Sequence, residues 1–236
     1  MTLPVAILAG GLATRMKPCT EQIPKSLIDV HGKPFAARQL ECLAGRGVRR
    51  VVLCIGHLGG MIRQRIGEGD RFGLQVQYSD EGDTLLGTGG ALRNALPLMG
   101  EKFLLMYGDS LLECDYEAVE RRFLESGTQG LMTVYRNDGR FDSSNVLFAD
   151  GRIRMYDKIR RVPGMRHIDY GLGALSRSAF DGVPEEGPVD LLVIYQNLLA
   201  RDELAGLEVF ERFYEIGSPA GLADTRRYFE EKESQK

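Results

Sequence analysis

Val5-Ala6-Ile7-Leu8 is an unbroken apolar run that stops one residue short of Gly10-Gly11. A short segment that is apolar on both faces belongs in the interior of a sheet, and glycines directly after it mark the strand's carboxyl end turning into a loop. Runs of the same kind recur at residues 50–55 and 103–107, and a further strand is expected at 74–78. Helical periodicity fills the stretches between them, at 35–44, 61–66 and 91–98. Strands alternating with helices predict an α/β fold, an open sheet with helices on both faces. Ligands in such sheets bind beyond the carboxyl ends of the strands, which is where the glycine-rich segments of this chain fall.

From Gly130 onward the pattern becomes richer in short strands, at 131–135, 146–148 and 152–156, the last two joined by Ala149-Asp150-Gly151. Asp-Gly between such segments is a strong hairpin signal. A strand at 170–175, a helix at about 191–200, a strand at 207–213 and a charged helix from Ala220 complete the expectation. No internal repeat or low-complexity linker interrupts the chain. One domain over residues 1–236 is expected, with a first half at about 1–129 and a β-rich second half at about 130–236.

Thirty Lys and Arg against 33 Asp and Glu give a net charge of -3. That balance offers no broad basic surface for nucleic acid or an anionic membrane, so an anionic ligand must be held by a local basic cluster. Residues 3–9 lack a basic flank and are too few to span a bilayer, so neither a signal peptide nor a membrane anchor is read there and a cytoplasmic protein is expected. Cys19, Cys42, Cys54 and Cys114 form no CxxC and read as reduced structural thiols. The three histidines, His31, His57 and His167, show no metalloprotease spacing.

The segment Leu8-Ala9-Gly10-Gly11-Leu12-Ala13-Thr14-Arg15 lets backbone approach a phosphate closely, and Arg15 adds a planar, permanent charge. Neither G-x-G-x-x-G nor a P-loop spacing is met; a tight strand-to-helix turn without a ligand is the alternative reading of the glycines alone. Ten residues beyond Arg15 comes Pro24-Lys25-Ser26. Together these segments resemble the signature of the sugar-1-phosphate nucleotidyltransferases, G-G-x-G-T-R followed by P-K-P, with Ala13 in place of Gly and Ser26 in place of Pro. Leu86-Gly87-Thr88-Gly89-Gly90-Ala91-Leu92 is similar to that family's base-binding loop. Tyr107-Gly108-Asp109 is similar to its metal-holding G-D, Asp157-Lys158 to its E-K, Asp169-Tyr170-Gly171 to its N-x-G, and residues 214–219 to its D-I-G-T-P.

The resemblance implies a Rossmann-like α/β/α sandwich with a mostly parallel central sheet and a small β-rich acceptor-binding half. It implies magnesium as cofactor, with Asp109 as main ligand and Glu215, one methylene longer than the family's Asp, as the second. Leu8, Ala9, Gly10, Gly11, Thr14, Arg15, Gly87, Thr88, Gly89, Gly90 and Asp109 would face the nucleoside triphosphate. Lys25, Asp157, Lys158, Asp169 and Gly171 would face the sugar 1-phosphate, and Arg15, Lys25 and Asp109 would be catalytic. For Lys158 the alternative is a solvated basic run, and for Asp169 a strand-start turn.

The chemistry agrees with that assignment. A phosphate monoester has its second pKa at about 6 and is largely ionised near neutrality, so no general base is required. In-line attack on an α-phosphorus needs alignment and charge neutralisation, which Arg, Lys and carboxylates supply without a catalytic His or Ser. The loop at 86–92 is most similar to guanylyltransferases acting on mannose or heptose 1-phosphate, then to uridylyltransferases acting on N-acetylmuramate 1-phosphate. Transfer to a phosphorylated alcohol or phosphonate, and a non-catalytic sugar-nucleotide regulator, are the alternatives. No hexapeptide repeats follow the core, so no fused β-helix is expected; a homo-oligomer is compatible with the sequence.

Overall fold

The computed structural model describes residues 3–12, 16 and 20–234. In chain order it contains β1 (Val5–Leu8), β2 (Asp29–Val30), β3 (Lys33–Pro34), α1 (Phe35–Gly45), β4 (Arg50–Ile55), α2 (Gly59–Ile66), β5 (Gln75–Asp80), α3 (Gly87–Met99), β6 (Lys102–Tyr107), β7 (Ser110–Leu112) and α4 (Tyr116–Ser126). The second half adds β8 (Gly130–Arg136), β9 (Val146–Ala149), β10 (Arg152–Tyr156), β11 (His167–Ser176), α5 (Leu191–Ala200), β12 (Leu204–Val209), β13 (Phe213–Glu215) and α6 (Pro219–Ser234).

β1 lies between β4 and β6, parallel to both, and β4 continues parallel to β5. β11 joins β6 antiparallel, pairs β8 on its other side, and β8 pairs β12 in parallel. One sheet therefore runs through both halves of the chain.

Alternation along β1 explains the layers, because successive side chains in a strand point to opposite faces. Val5 and Ile7 enter a core with Leu40 and Leu43 of α1, Ile62 and Ile66 of α2, and Val119 and Phe123 of α4. Ala6 enters the opposite core with Leu92, Ala95 and Met99 of α3 and Leu191, Ile194 and Leu198 of α5. Full burial of each large aliphatic side chain contributes about 1.5–3 kcal/mol. The Rossmann-like α/β/α sandwich with a mostly parallel sheet, expected from the sequence, is the fold observed.

Asp150 and Gly151 both adopt positive φ, 53° and 71°, as the expected tight hairpin between β9 and β10 requires. Cys54 and Cys114 are buried free thiols, each pushed up to about 12 chiefly by desolvation. Cys42 is a half-buried free thiol, and Cys19 lies outside the described residues. No helix among the described residues is long and apolar enough to cross a membrane.

Two expectations are corrected. The single strand at 207–213 is instead β12 and β13, because β12 follows β8 while β13 leaves the main sheet to pair with β7. The turn between them leaves Phe210 exposed. The helix expected at 91–98 begins at Gly87, despite the poor helix propensity of glycine. The N–H groups of Gly89 and Gly90 both donate to the Val189 carbonyl, at 2.8 and 3.0 Å, so a tertiary contact anchors that first turn. Helix α4 was not anticipated, although Asp115 caps it by accepting the Ala118 N–H at 3.0 Å.

Candidate active site

The carboxyl ends of β1, β4 and β6 are level: Leu8 is in register with Cys54 on one side and Tyr107 on the other. The chain leaves the sheet there along two backbone bonds, Ala9 N–H to the Cys54 carbonyl at 2.8 Å and Gly108 N–H to the Leu8 carbonyl at 2.9 Å. Above these ends opens a cavity of about 480 Å³, lined by Leu8, Ala9, Gly10 and Gly11 on one side and by Gly87 and Thr88 on another.

Lys25 and Asp109 also line this cavity. Pro24 leads into a single 3-10 turn at Lys25–Leu27, and the Leu27 N–H donates to the Pro24 carbonyl at 2.8 Å. That turn sends the Lys25 ammonium to Asp109 Oδ2, to which it donates at 2.7 Å. Both side chains remain partly open to solvent, 20% and 26% exposed, so the pair is a reachable charge couple and not a sealed one.

A second cavity, of about 620 Å³, shares Tyr107 and Asp109 with the first and is lined further by Asp169, Gly171 and Glu215. Asp169 accepts the Tyr156 hydroxyl at 3.0 Å and the Tyr107 hydroxyl at 3.4 Å on Oδ2, and the Gly171 N–H at 3.0 Å on Oδ1. Burial lifts its carboxyl above the ordinary value, while the Lys158 charge and these three hydrogen bonds act in the opposite direction. Gly171 has φ 99°, which lets β11 bulge at this point, where its register with β8 shifts.

Glu215 stands opposite Ser110 in the β13–β7 pair, and the next residue, Ile216, donates its N–H to the Asp109 carbonyl at 2.9 Å. The Glu215 carboxylate accepts the Ser218 hydroxyl at 2.7 Å and the Gly217 N–H, so it also secures the entry to α6. Asp109 and Glu215 thus offer hard oxygen donors on one wall of the second cavity, a donor set that suits magnesium. Among the described residues no group of three or more His, Cys, Asp or Glu could hold a metal ion by itself. An ion here would need oxygens from a bound phosphate to complete its shell.

Not every expected residue faces a cavity. Gly89 and Gly90 line neither cavity and pack against Val189. Gly87, at φ 72°, leaves only 2.6 Å between a would-be Cβ and the Val189 carbonyl, so close packing accounts for a glycine there. Thr88 accepts the Leu191 N–H at 2.8 Å, which ties the loop to α5. Asp157 and Lys158 line neither cavity. Asp157 accepts the Ile159 and Arg160 N–H groups, both at 2.8 Å, and these bonds lower its pKa. Lys158 Nζ lies 3.5 Å from Asp190. Thr14 and Arg15 fall outside the described residues.

Glu81, which no motif marks, and Ser26, which the sequence marks only as standing in place of Pro, both line the first cavity. Glu81 follows β5 and accepts the Leu86 N–H at 3.2 Å, and its Oε1 sits where side chains on Gly10 or Gly56 would be, so both glycines make room for it. Burial is the main cause of its raised pKa. Its position at a strand's carboxyl end was the available signal. Ser26 is 4% exposed, and its buried hydroxyl has no hydrogen-bond partner among the described residues.

The loops at these strand ends and the two cavities that share Tyr107 and Asp109 form the candidate site of this α/β fold. The chain belongs to the nucleotidyl transferase family, which matches residues 5–143. It is 28% identical over 225 residues to the N-acetylmuramate alpha-1-phosphate uridylyltransferase of Neisseria meningitidis serogroup B, covering 93% of this chain and 95% of that protein. To the mannose-1-phosphate guanyltransferase beta-B of Xenopus laevis it is 27% identical over 219 residues, covering 90% of this chain and 61% of that protein. The crystal structure of HddC from Yersinia pseudotuberculosis complexed with GMP-PN superimposes with a TM-score of 0.79 at 27% identity, covering 96% and 99% of the two chains.

Proposed function

We propose that this protein transfers a nucleoside monophosphate from a nucleoside triphosphate to a sugar 1-phosphate, releasing pyrophosphate. The observation that carries this reading is the meeting of two cavities at Asp109, with the Lys25 ammonium 2.7 Å from its carboxylate. Two substrates held in joined cavities can bring an acceptor phosphate and an α-phosphorus together at the shared wall, where alignment supplies much of the rate. Lys25, released from Asp109, balances charge on the reacting phosphates. Asp109, with Glu215, would hold magnesium, which would neutralise phosphate charge when bound. The names of the relatives, sugar-1-phosphate uridylyl- and guanylyltransferases, support the reading.

The test is pyrophosphate release across four triphosphates and a panel of sugar 1-phosphates. Release that requires both substrates and stops on chelation is expected; release that needs no acceptor overturns the reading.

Glu81 bears on the base. An ionised carboxylate only accepts hydrogen bonds, so beside a base edge it favours a ring N–H, as in guanine and uracil, over the bare ring nitrogens of adenine and cytosine. The protein is expected to use GTP or UTP over ATP and CTP, and Glu81→Gln to erode that preference by about tenfold, the worth of one charge-assisted bond. Equal use of all four triphosphates by the parent rules this role out.

Glu215→Gln removes a charge from the proposed metal wall and one strong acceptor from the turn into α6. A higher magnesium concentration for half-maximal rate is expected, with a loss of stability of about 1 kcal/mol. A magnesium titration identical to the parent's, with only the stability loss, assigns Glu215 to the turn alone.

A further inference from the structure

The end of the second cavity away from Asp109 has a different character. Arg212 precedes β13 and lies three residues before Glu215, roughly 10 Å along an extended chain. Its guanidinium is held over the rings of Phe141 and Tyr214, at 4.4 and 4.7 Å from their centroids, and it donates to Asp224. That clamp keeps a planar, permanently charged fork in one place. Its Nε–H is buried and has no hydrogen-bond partner.

Arg140 and Arg227 line the same cavity. Arg140 donates to the carbonyls of Asn137 and Arg136, at 3.2 and 3.0 Å, and to no carboxylate among the described residues. Among the described residues Arg227 reaches only Asp224, at 3.9 Å, the carboxylate already taken by Arg212. The other acid at this end, Asp142, accepts the neighbouring Ser143 N–H at 2.6 Å. Phe141 and Asp142 also form part of an adjoining open depression that carries Arg161 and Arg166. Three guanidinium groups thus gather about Phe141 and Asp224, in a cavity whose lining carries five carboxylates in all.

The phosphate that reacts belongs at Asp109, on the wall the two cavities share, where Lys25 reaches it from the first cavity, so it does not account for these arginines. We propose that the acceptor sugar 1-phosphate carries a second anionic group, a carboxylate or a further phosphate, away from C1, and that Arg212, with Arg140 beside it, binds that group. This rests on the sugar-1-phosphate reading above and adds the class of sugar. Fork-shaped guanidinium donors suit either anion.

Two matched pairs of acceptors test it at low salt. N-acetylmuramate 1-phosphate differs from N-acetylglucosamine 1-phosphate by a carboxylate-bearing ether; glucose 1,6-bisphosphate differs from glucose 1-phosphate by a phosphate. The charged member of one pair is expected to exceed its neutral partner in kcat/KM by about tenfold or more, and the pair that does so identifies the anion. Arg212→Gln and, separately, the surface substitution Arg140→Gln should each reduce that ratio several-fold, with KM for the triphosphate unchanged. Equal kcat/KM within both pairs, or a preference that survives both substitutions in folded protein, overturns the inference while leaving nucleotidyl transfer in place. Failure of every acceptor, charged and neutral, overturns the transfer reading and this inference together.

Discussion

Asp109→Asn lowers the rate of pyrophosphate formation by about 10³-fold, the upper range for removing one group that stabilises transition-state charge. Asp109 is on the wall shared by both cavities, and its Oδ2 accepts the Lys25 ammonium at 2.7 Å. Asparagine keeps the shape and loses the charge, so it weakens both the anchoring of Lys25 and any hold on a divalent cation. The folded state should persist, because the side chain is 26% exposed and the Asp109 carbonyl still accepts the Ile216 N–H at 2.9 Å. Steady-state kinetics beside thermal unfolding decide the matter. An unchanged rate in magnesium, in a protein that melts like the parent, would place the metal and the reacting phosphates elsewhere.

Gly108→Ala produces the second large effect, through the backbone. A Cβ at Gly108 would lie 2.5 Å from the Leu8 carbonyl oxygen and 3.0 Å from Ala9 Cα. Those atoms are main chain and cannot rotate aside, so the ends of β1 and β6 must separate. Overpacking of this kind costs about 1–3 kcal/mol, which lowers Tm by about 2–4 °C per kcal/mol in a domain of this size. The displaced segment leads into the glycine loop beside Asp109, and a shift of about 1 Å there reduces turnover by about 10². Gly11→Ala serves as the stability control, since no atom of the described residues lies within 4 Å of its added Cβ. Equal melting temperatures for the two variants contradict the close approach.

Lys25 and Asp109 were each legible in the sequence, one after Pro24 and the other after an apolar strand. Their pairing was not, because 84 residues separate them and only the order of strands brings the two loops together. Glu81 escaped notice for a related reason: a lone glutamate after a strand reads as a solvated charge until Gly10 and Gly56 are seen to make room for its carboxylate. In the opposite direction, Gly89 and Gly90 read as ligand-facing glycines, yet their N–H groups donate to the Val189 carbonyl. Glu215 reads as a metal position, and in the structure its carboxylate accepts the hydrogen bonds that start α6.

By itself the sequence determined the buried strands at 5–8, 50–55 and 103–107, the loops at their carboxyl ends, the tight turn at Asp150-Gly151 and membership of a nucleotidyl-transferring family. These are properties of a few consecutive residues: apolar runs, turn chemistry and motif spacing, each set by interactions within a short stretch of chain. Only the tertiary structure decided that the 207–213 segment divides between two sheets, that Asp157 and Lys158 stand outside both cavities, and that Arg212 is clamped between Phe141 and Tyr214. Each of those outcomes depends on which distant segments the folded chain brings into contact. Loop closure and burial impose that on the whole chain at once, and no local pattern records it.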